Sequence, residues 1–183
     1  MTTEDYLRLV TVGELKPHNG TVYLAPYDSA WPSQFEYLAG LVRSAISDRA
    51  VLLEHVGSTS VPGLSAKPII DMVLAVPNSA DEASYVPALD QAGFALKIRE
   101  PEWFEHRVLK SLGIGANLHV FSVGCEEIPR MLAFREWLRT HDEDRQRYEC
   151  AKRELAARTW KHVQDYADAK TAIVREILAR ALG

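Results

Sequence analysis

The segment Glu54-His55-Val56-Gly57-Ser58-Thr59-Ser60-Val61-Pro62-Gly63-Leu64-Ser65-Ala66-Lys67-Pro68-Ile69-Ile70-Asp71 holds a strand end, a glycine turn and the start of a second strand. Val51 to Val56 is strand-like, and Gly57 then lets another group come close to the backbone. Ser58, Thr59 and Ser60 add hydroxyls and N–H donors, a set suited to cradling a phosphate. Pro62, Gly63 and Pro68 forbid a long regular helix before the next element. Ile69 to Val76 is nearly all apolar, as expected of a central strand buried on both faces. Its one charge, Asp71, needs a partner, because an unpaired buried charge is costly. A metal ion, a cation such as Lys67, or backbone N–H groups would serve. A purely structural aspartate is the rival reading.

Elements follow on either side. Val22 to Ala25 reads as a short strand. Tyr27-Asp28-Ser29-Ala30-Trp31-Pro32 reads as a turn entering a helix, with Pro32 at the first helical position. Phe35, Leu38, Ala39, Val42 and Ile46 recur at helical spacing. Asp81 to Ala92 predicts a helix that Gly93 ends. Phe94 to Ile98, Trp103 to Leu109 and Asn117 to Val123 predict three strands, the last two joined through Gly113-Ile114-Gly115. Beyond residue 126 three helices are expected. Their stripes are Met131, Phe134, Trp137 and Leu138; then Tyr148, Ala151 and Leu155, with Asp142 as N-cap; then Tyr166, Ala169, Ile173 and Ile177. The expected architecture is α/β (α+β), a mixed sheet flanked by helices with a C-terminal helical layer, in one domain over residues 1–183. Residues 1–20 form an N-terminal extension to it, and residues 127–183 form its helical part.

The totals exclude several classes. A net charge of −4 argues against broad binding to duplex nucleic acid. No apolar run approaches the ~20 residues that span a bilayer, and the first residues lack a signal-peptide pattern, so no membrane partner and a cytoplasmic location are expected. Cys125 and Cys150 stand apart without metal-ligand or disulfide spacing, as free thiols do. The charge is uneven: residues 1–127 carry 9 Lys/Arg against 16 Asp/Glu, and residues 128–183 carry 12 against 9. The helical part is therefore where cations for an anionic ligand are sought.

The segment from Glu54 to Asp71 resembles the signature of the GrpB family. The resemblance extends to Tyr27-Asp28 with Trp31-Pro32, to Leu118-His119-Val120, to Phe134-Arg135-Glu136-Trp137-Leu138-Arg139 and to Tyr148 with Lys152. It implies a nucleotidyltransferase-type fold, and a domain that also occurs fused to dephospho-CoA kinase. In that superfamily Gly-Ser is followed by Asp-x-Asp/Glu on the next strand and a third carboxylate on a later one. Gly57, Ser58 and Asp71 match the first parts, but Val73 stands where the second acid belongs. Residues 71 and 73 share a strand face, so an acid pair there would grip Mg²⁺ together, and an Asp with a Val cannot.

The resemblance therefore implies a nucleotide or other phosphorylated small molecule as ligand. Two roles stay open: nucleotidyl transfer with Mg²⁺, or a non-catalytic binding or accessory module that has lost the metal pair. For the first, Asp71 and His119 are the candidate catalytic groups. Gly57, Ser58, Thr59, Lys67, Arg135, Arg139, Tyr148 and Lys152 are the candidate ligand contacts, and Glu54 and Glu100 the candidates to join Asp71 on Mg²⁺. His55, just before the turn, is a secondary candidate. For His55, His119 and Tyr148 a packed structural role is the rival, and for Arg135 and Arg139 a solvated helix face.

Overall fold

The computed structural model describes residues 2–183. The elements in chain order are α1 (Thr3–Val10), α2 (Trp31–Ile46), β1 (Leu52–Val56), β2 (Ile70–Val76), α3 (Val86–Gln91), β3 (Phe94–Glu100), β4 (His106–Ser111), β5 (Ala116–Ser122), α4 (Glu127–Thr140), α5 (Asp142–Ala156), α6 (Val163–Ala169) and α7 (Thr171–Leu182). The strands form one sheet in the order β1-β2-β5-β4-β3. Only β2 and β5 pair in parallel; the other neighbours are antiparallel. This is the mixed-sheet α/β architecture the sequence predicts, with the helical layer last.

Alternation along β2 explains how the sheet divides its two faces. Met72, Leu74 and Val76 point to one face and join Leu118 and Val120 of β5 in the main core, which α2 fills with Trp31, Phe35, Leu38, Ala39, Val42 and Ile46. Asp71, Val73 and Ala75 point to the other face. There Val56, Val73, Ala75, Phe121 and Ile128 of α4 form a smaller cluster. That cluster covers only the far half of β2, and Asp71 at its near end lines a pocket with Lys152 of α5, Tyr166 of α6 and Lys170 between α6 and α7.

The differences from the sequence reading have local causes. Val22–Ala25 makes only a single bridge, Ala25 to Ala66, and is not a strand. The segment 81–92 divides into a 3-10 turn at Glu82–Ser84 and α3, since Pro87 suits only a helix's first turn. β4 begins at His106 rather than Trp103, because Phe104 and Glu105 turn the chain at φ +55° and +50°. The last expected helix is two, broken at Lys170, so Tyr166 sits on α6 and Ile173 and Ile177 on α7. The N-cap of α5 is His141, with Asp142 in the first turn. Finally, the N-terminal extension contains α1, closed by a capping box between Thr2 and Asp5. Both cysteines are free thiols. No helix among the described residues is long and apolar enough to cross a membrane.

Candidate functional site

The site starts where β1 ends. Val56 stands opposite Asp71 in the β1–β2 register, so the turn after β1 passes directly over the aspartate. Gly57 takes φ +70°, ψ −171°, a region open essentially to glycine alone. A Cβ there would lie 2.7 Å from Asp71 Oδ2. Ser58–Ser60 then forms one 3-10 turn.

This loop is fixed from behind. Ser60 Oγ donates to Gly57 O at 2.6 Å, and Thr59 Oγ1 lies 3.0 Å from His55 Nε2. Arg135 donates to His55 O at 2.7 Å and to Glu54 at 2.8 Å. Arg139 donates twice to Ser60 O, at 3.0 and 2.8 Å. Arg135 and Arg139 thus hold loop carbonyls on the side away from Asp71, where they line a separate hollow with Glu54 and His55. His55 is buried and stacked on Phe35, and burial, opposed by Asp71, lowers its pKa to about 4. A neutral imidazole bracing the turn is the role this geometry gives it.

In front of the loop lies a cavity of about 110 Å³. It is lined by Ser58, Thr59, Lys67, Asp71, Asn117 and Lys152 together with Tyr166 and Lys170. Asn117 Nδ2 donates to Asp71 Oδ1 at 2.9 Å, and His119 Nε2 stands 3.7 Å from the same oxygen. Burial works to raise the Asp71 pKa; His119 when it carries a proton on Nε2, Asn117 and Lys67 outweigh it and hold the carboxyl below its ordinary value. Lys152, on α5, is 2% exposed and donates to Ser58 Oγ at 3.1 Å and to the Ser65 carbonyl. Burial, then Lys170, lowers its pKa to about 7. Burial lowers Lys67 and Lys170 as well, with Lys170 adding to the shift at Lys67. The Tyr166 ring lies beneath both, with the Lys170 ammonium 4.6 Å from its centroid and the Lys67 ammonium 5.8 Å.

Three amines and one carboxylate therefore converge on a small pocket in an acidic protein. Their mutual repulsion is what an arriving anion relieves, and the volume suits a phosphate group rather than a whole nucleotide, since small-molecule sites run to roughly 300–1,000 Å³.

The structure brings together Gly57, Ser58, Thr59, Lys67, Asp71 and Lys152 as anticipated, with His119 at the side. Tyr148 packs edge-on to Phe134 in the cluster of Val61, Leu64, Leu138 and Ile177, and the Lys152 ammonium lies 5.0 Å from its ring centroid. It is a wall of the core rather than a platform for a base. Glu54 is engaged by Arg135. Glu100 accepts from Tyr6 Oη and contacts His106 Nδ1 at 2.5 Å, four strands away from β1.

Asn117, Tyr166 and Lys170 were not singled out. The first pairs with Asp71 only through the β2–β5 register. Lys170 reaches the pocket from the break between α6 and α7, and Tyr166 from within α6.

The residues do not fit a resident Mg²⁺. Among the described residues no group of three or more His, Cys, Asp or Glu could hold a metal ion. Val73 is fully buried in the apolar cluster, and the pocket around the lone carboxylate is walled by amines.

The GrpB protein family profile matches residues 21–180. The chain belongs to the GrpB family. It is 56% identical over 179 residues to a UPF0157 protein of Halalkalibacterium halodurans, a match covering 98% of this chain and 92% of that one. The crystal structure of the conserved protein GrpB from Enterococcus faecalis superposes with a TM-score of 0.71 at 29% identity, over 87% of this chain and 97% of that one. A protein of Mycolicibacterium paratuberculosis named dephospho-CoA kinase is 27% identical over 186 residues, covering 87% of this chain and 46% of that protein.

Proposed function

We propose that this GrpB protein binds a nucleotide or other phosphorylated small molecule, seating one phosphate among Lys67, Lys152 and Lys170 against the Ser58 hydroxyl. The observation that carries the reading is the convergence of those three amines on one pocket beside Asp71. Lys152 and Ser58 are already hydrogen-bonded, so the donors are placed before the anion arrives. The rest of the ligand lies outside the 110 Å³ cavity, over the sheet face that Asp71 shares with Asn117 and His119. The reaction this layout suits is transfer of a nucleotidyl group from the bound ligand to an acceptor hydroxyl. In it the lysines, not a built-in metal pair, neutralise the phosphate.

A second reading is a non-catalytic ligand-binding or accessory module, and buried Val73 in place of a second acid favours it. Calorimetric titration with inorganic phosphate, pyrophosphate and each nucleoside triphosphate, with and without Mg²⁺, tests both. Phosphate-dependent binding that falls more than about tenfold in Lys170→Met supports the shared reading. Pyrophosphate release that Asp71→Asn abolishes supports transfer. Binding without turnover supports the module. A Mg²⁺ ion that enters with the triphosphate would appear as metal-dependent affinity. No binding of any phosphate compound, or affinity untouched by Lys170→Met, overturns the assignment.

A further inference from the structure

One polar side chain from each of four adjacent strands lies in a row on the face of the sheet that carries the pocket: Glu100 on β3, His106 on β4, His119 on β5 and Asp71 on β2. The contacts are continuous from the edge inward. Tyr6 Oη of α1 donates to Glu100, and Glu100 Oε2 lies 2.5 Å from His106 Nδ1. His106 Nε2 lies 3.1 Å from His119 Nδ1, and His119 Nε2 faces Asp71 Oδ1 at 3.7 Å. The two imidazole planes are nearly parallel, at 7°. Phe121 stacks on His106 at 4.6 Å and Trp103 closes edge-on at 5.0 Å, so the inner ring is packed as well as bonded. His106 and Glu100 side chains are 5% and 15% exposed, while His119, beside Asp71, is 24% exposed.

We propose that Glu100 and His106 are positioning residues that hold His119 with its proton on Nδ1 and a bare Nε2 beside Asp71, so that His119 takes the proton from the hydroxyl of the acceptor molecule.

The assignment follows from counting donors. An ionised carboxylate only accepts, so His106 Nδ1 carries the proton toward Glu100. Burial lowers the His106 pKa against the pull of Glu100, which favours the neutral ring, and a neutral ring with Nδ1–H toward Glu100 has a bare Nε2 turned to His119 Nδ1 at 3.1 Å. His119 Nδ1 must then donate, which leaves Nε2 of a neutral His119 without a proton. The gap to Asp71 fits this, since 3.7 Å is too long for a hydrogen bond. When a proton arrives at Nε2 the resulting imidazolium is flanked by Asp71 on one side and, through His106, by Glu100 on the other. A carboxylate that fixes an imidazole's tautomer from the far side is the logic of a catalytic triad, here with a second imidazole between.

The inference rests on the proposed transfer for its chemistry. The acceptor's O–H bond breaks and a bond from that hydrogen to His119 Nε2 forms. The oxygen's electron pair attacks the α-phosphorus of a bound nucleoside triphosphate, and the P–O bond to the leaving pyrophosphate breaks with its pair on the leaving oxygen.

The test reads the tautomer itself. In protein labelled with ¹⁵N-histidine, long-range ¹H–¹⁵N correlation spectra distinguish a protonated from a bare ring nitrogen. At a pH where His119 is neutral, the expected wild-type pattern is Nδ1 protonated and Nε2 bare. His106→Phe keeps the stacking on Phe121 and removes the acceptor. It should shift the His119 tautomer ratio toward Nε2–H by on the order of tenfold, the scale of one hydrogen bond. A protonated Nε2 in neutral wild-type His119, or a ratio unchanged by His106→Phe, overturns the proposal. The wild-type spectrum decides alone if the variant does not fold. Titrating inorganic phosphate into the same wild-type sample separates the two ideas: a bare Nε2 with no phosphate binding leaves the tautomer assignment standing and sinks the ligand reading.

Discussion

The Cβ that Gly57 lacks would stand 2.7 Å from Oδ2 of Asp71 and 2.9 Å from its Cβ. The turn and the carboxylate are therefore one object: the aspartate holds its place because nothing projects from residue 57. Gly57→Ala meets two penalties, the strained φ of +70° and displacement of Asp71. The expected cost is about 1–3 kcal/mol of stability, read from urea unfolding, together with loss of phosphate binding in calorimetry. Unchanged stability would mean that the loop reseats without strain.

Lys152 would link the proposed phosphate binding to protons. Burial has lowered its pKa from 10.5 to about 7. Between those values the unfolded chain binds more protons than the folded one, so Lys152 makes stability rise with pH from about 7 toward 10.5. Below pH 7 the full cost of burying the charge is present. Lys152→Met should flatten the stability profile in that window, as urea unfolding at stepped pH will show. A bound phosphate restores the charged form, so binding near pH 8 should take up a proton. Titrations in buffers of different ionisation enthalpy measure that uptake; none at pH 8, or release, contradicts the burial argument.

The parts of the site legible in the sequence are those that act close to their own place in the chain. Gly57, Ser58 and Asp71 stand out because a glycine turn and a lone acid interrupt two apolar runs. Even so, the same reasoning placed Arg135 and Arg139 among the ligand contacts. Spacing of four shows that they share a helix face, but not that the face meets the back of the loop. Glu100 was expected near Asp71 on the strength of its charge, and it lies at the other end of a row of side chains. That row needs the strand order β2-β5-β4-β3, in which chain neighbours β2 and β3 are not sheet neighbours. Lys170 was hidden by the reading of α6 and α7 as one helix. Helical periodicity continues through a break that comes from how the chain packs, and the residue at the break is the one that turns into the pocket.

In the proposed binding mode Arg139 acts on the phosphate only through the loop. Its guanidinium gives two hydrogen bonds to the Ser60 carbonyl, one from Nε and one from Nη2. A lysine keeps the charge but cannot reproduce that fork. Arg139→Lys should weaken phosphate binding several-fold, because Ser58 loses its fixed position, while costing about 1–2 kcal/mol in stability. Affinity and unfolding measured on the same variant separate this from a direct contact. A direct contact by charge alone would survive the change to lysine and would vary with salt as wild type does.

Glu82 anchors the opposite end of the sheet. Its carboxylate accepts from Arg107 Nε at 2.6 Å and from both Nε and Nη2 of Arg99 at 2.6 Å. The Arg107 side chain is only 5% exposed, on the strand position next to His106. The Arg99 bond, with Arg107 adding to it against the opposing effect of burial, lowers the Glu82 pKa from 4.5 to about 2. A carboxyl lowered in this way stabilises the fold above pH 4.5, and the contribution is lost as the pH falls toward 2. Glu82→Gln leaves Arg107 with its exposed partner Glu105 at 3.1 Å and the His106 carbonyl, so a buried cation loses its nearest counter-charge. The expected destabilisation at pH 7 is about 3 kcal/mol, the low end for a broken buried pair. Acid unfolding should also change shape: the variant's stability should vary less than wild type's between pH 5 and 2. Equal slopes in that range would show that Glu82 is not the group whose protonation weakens this edge.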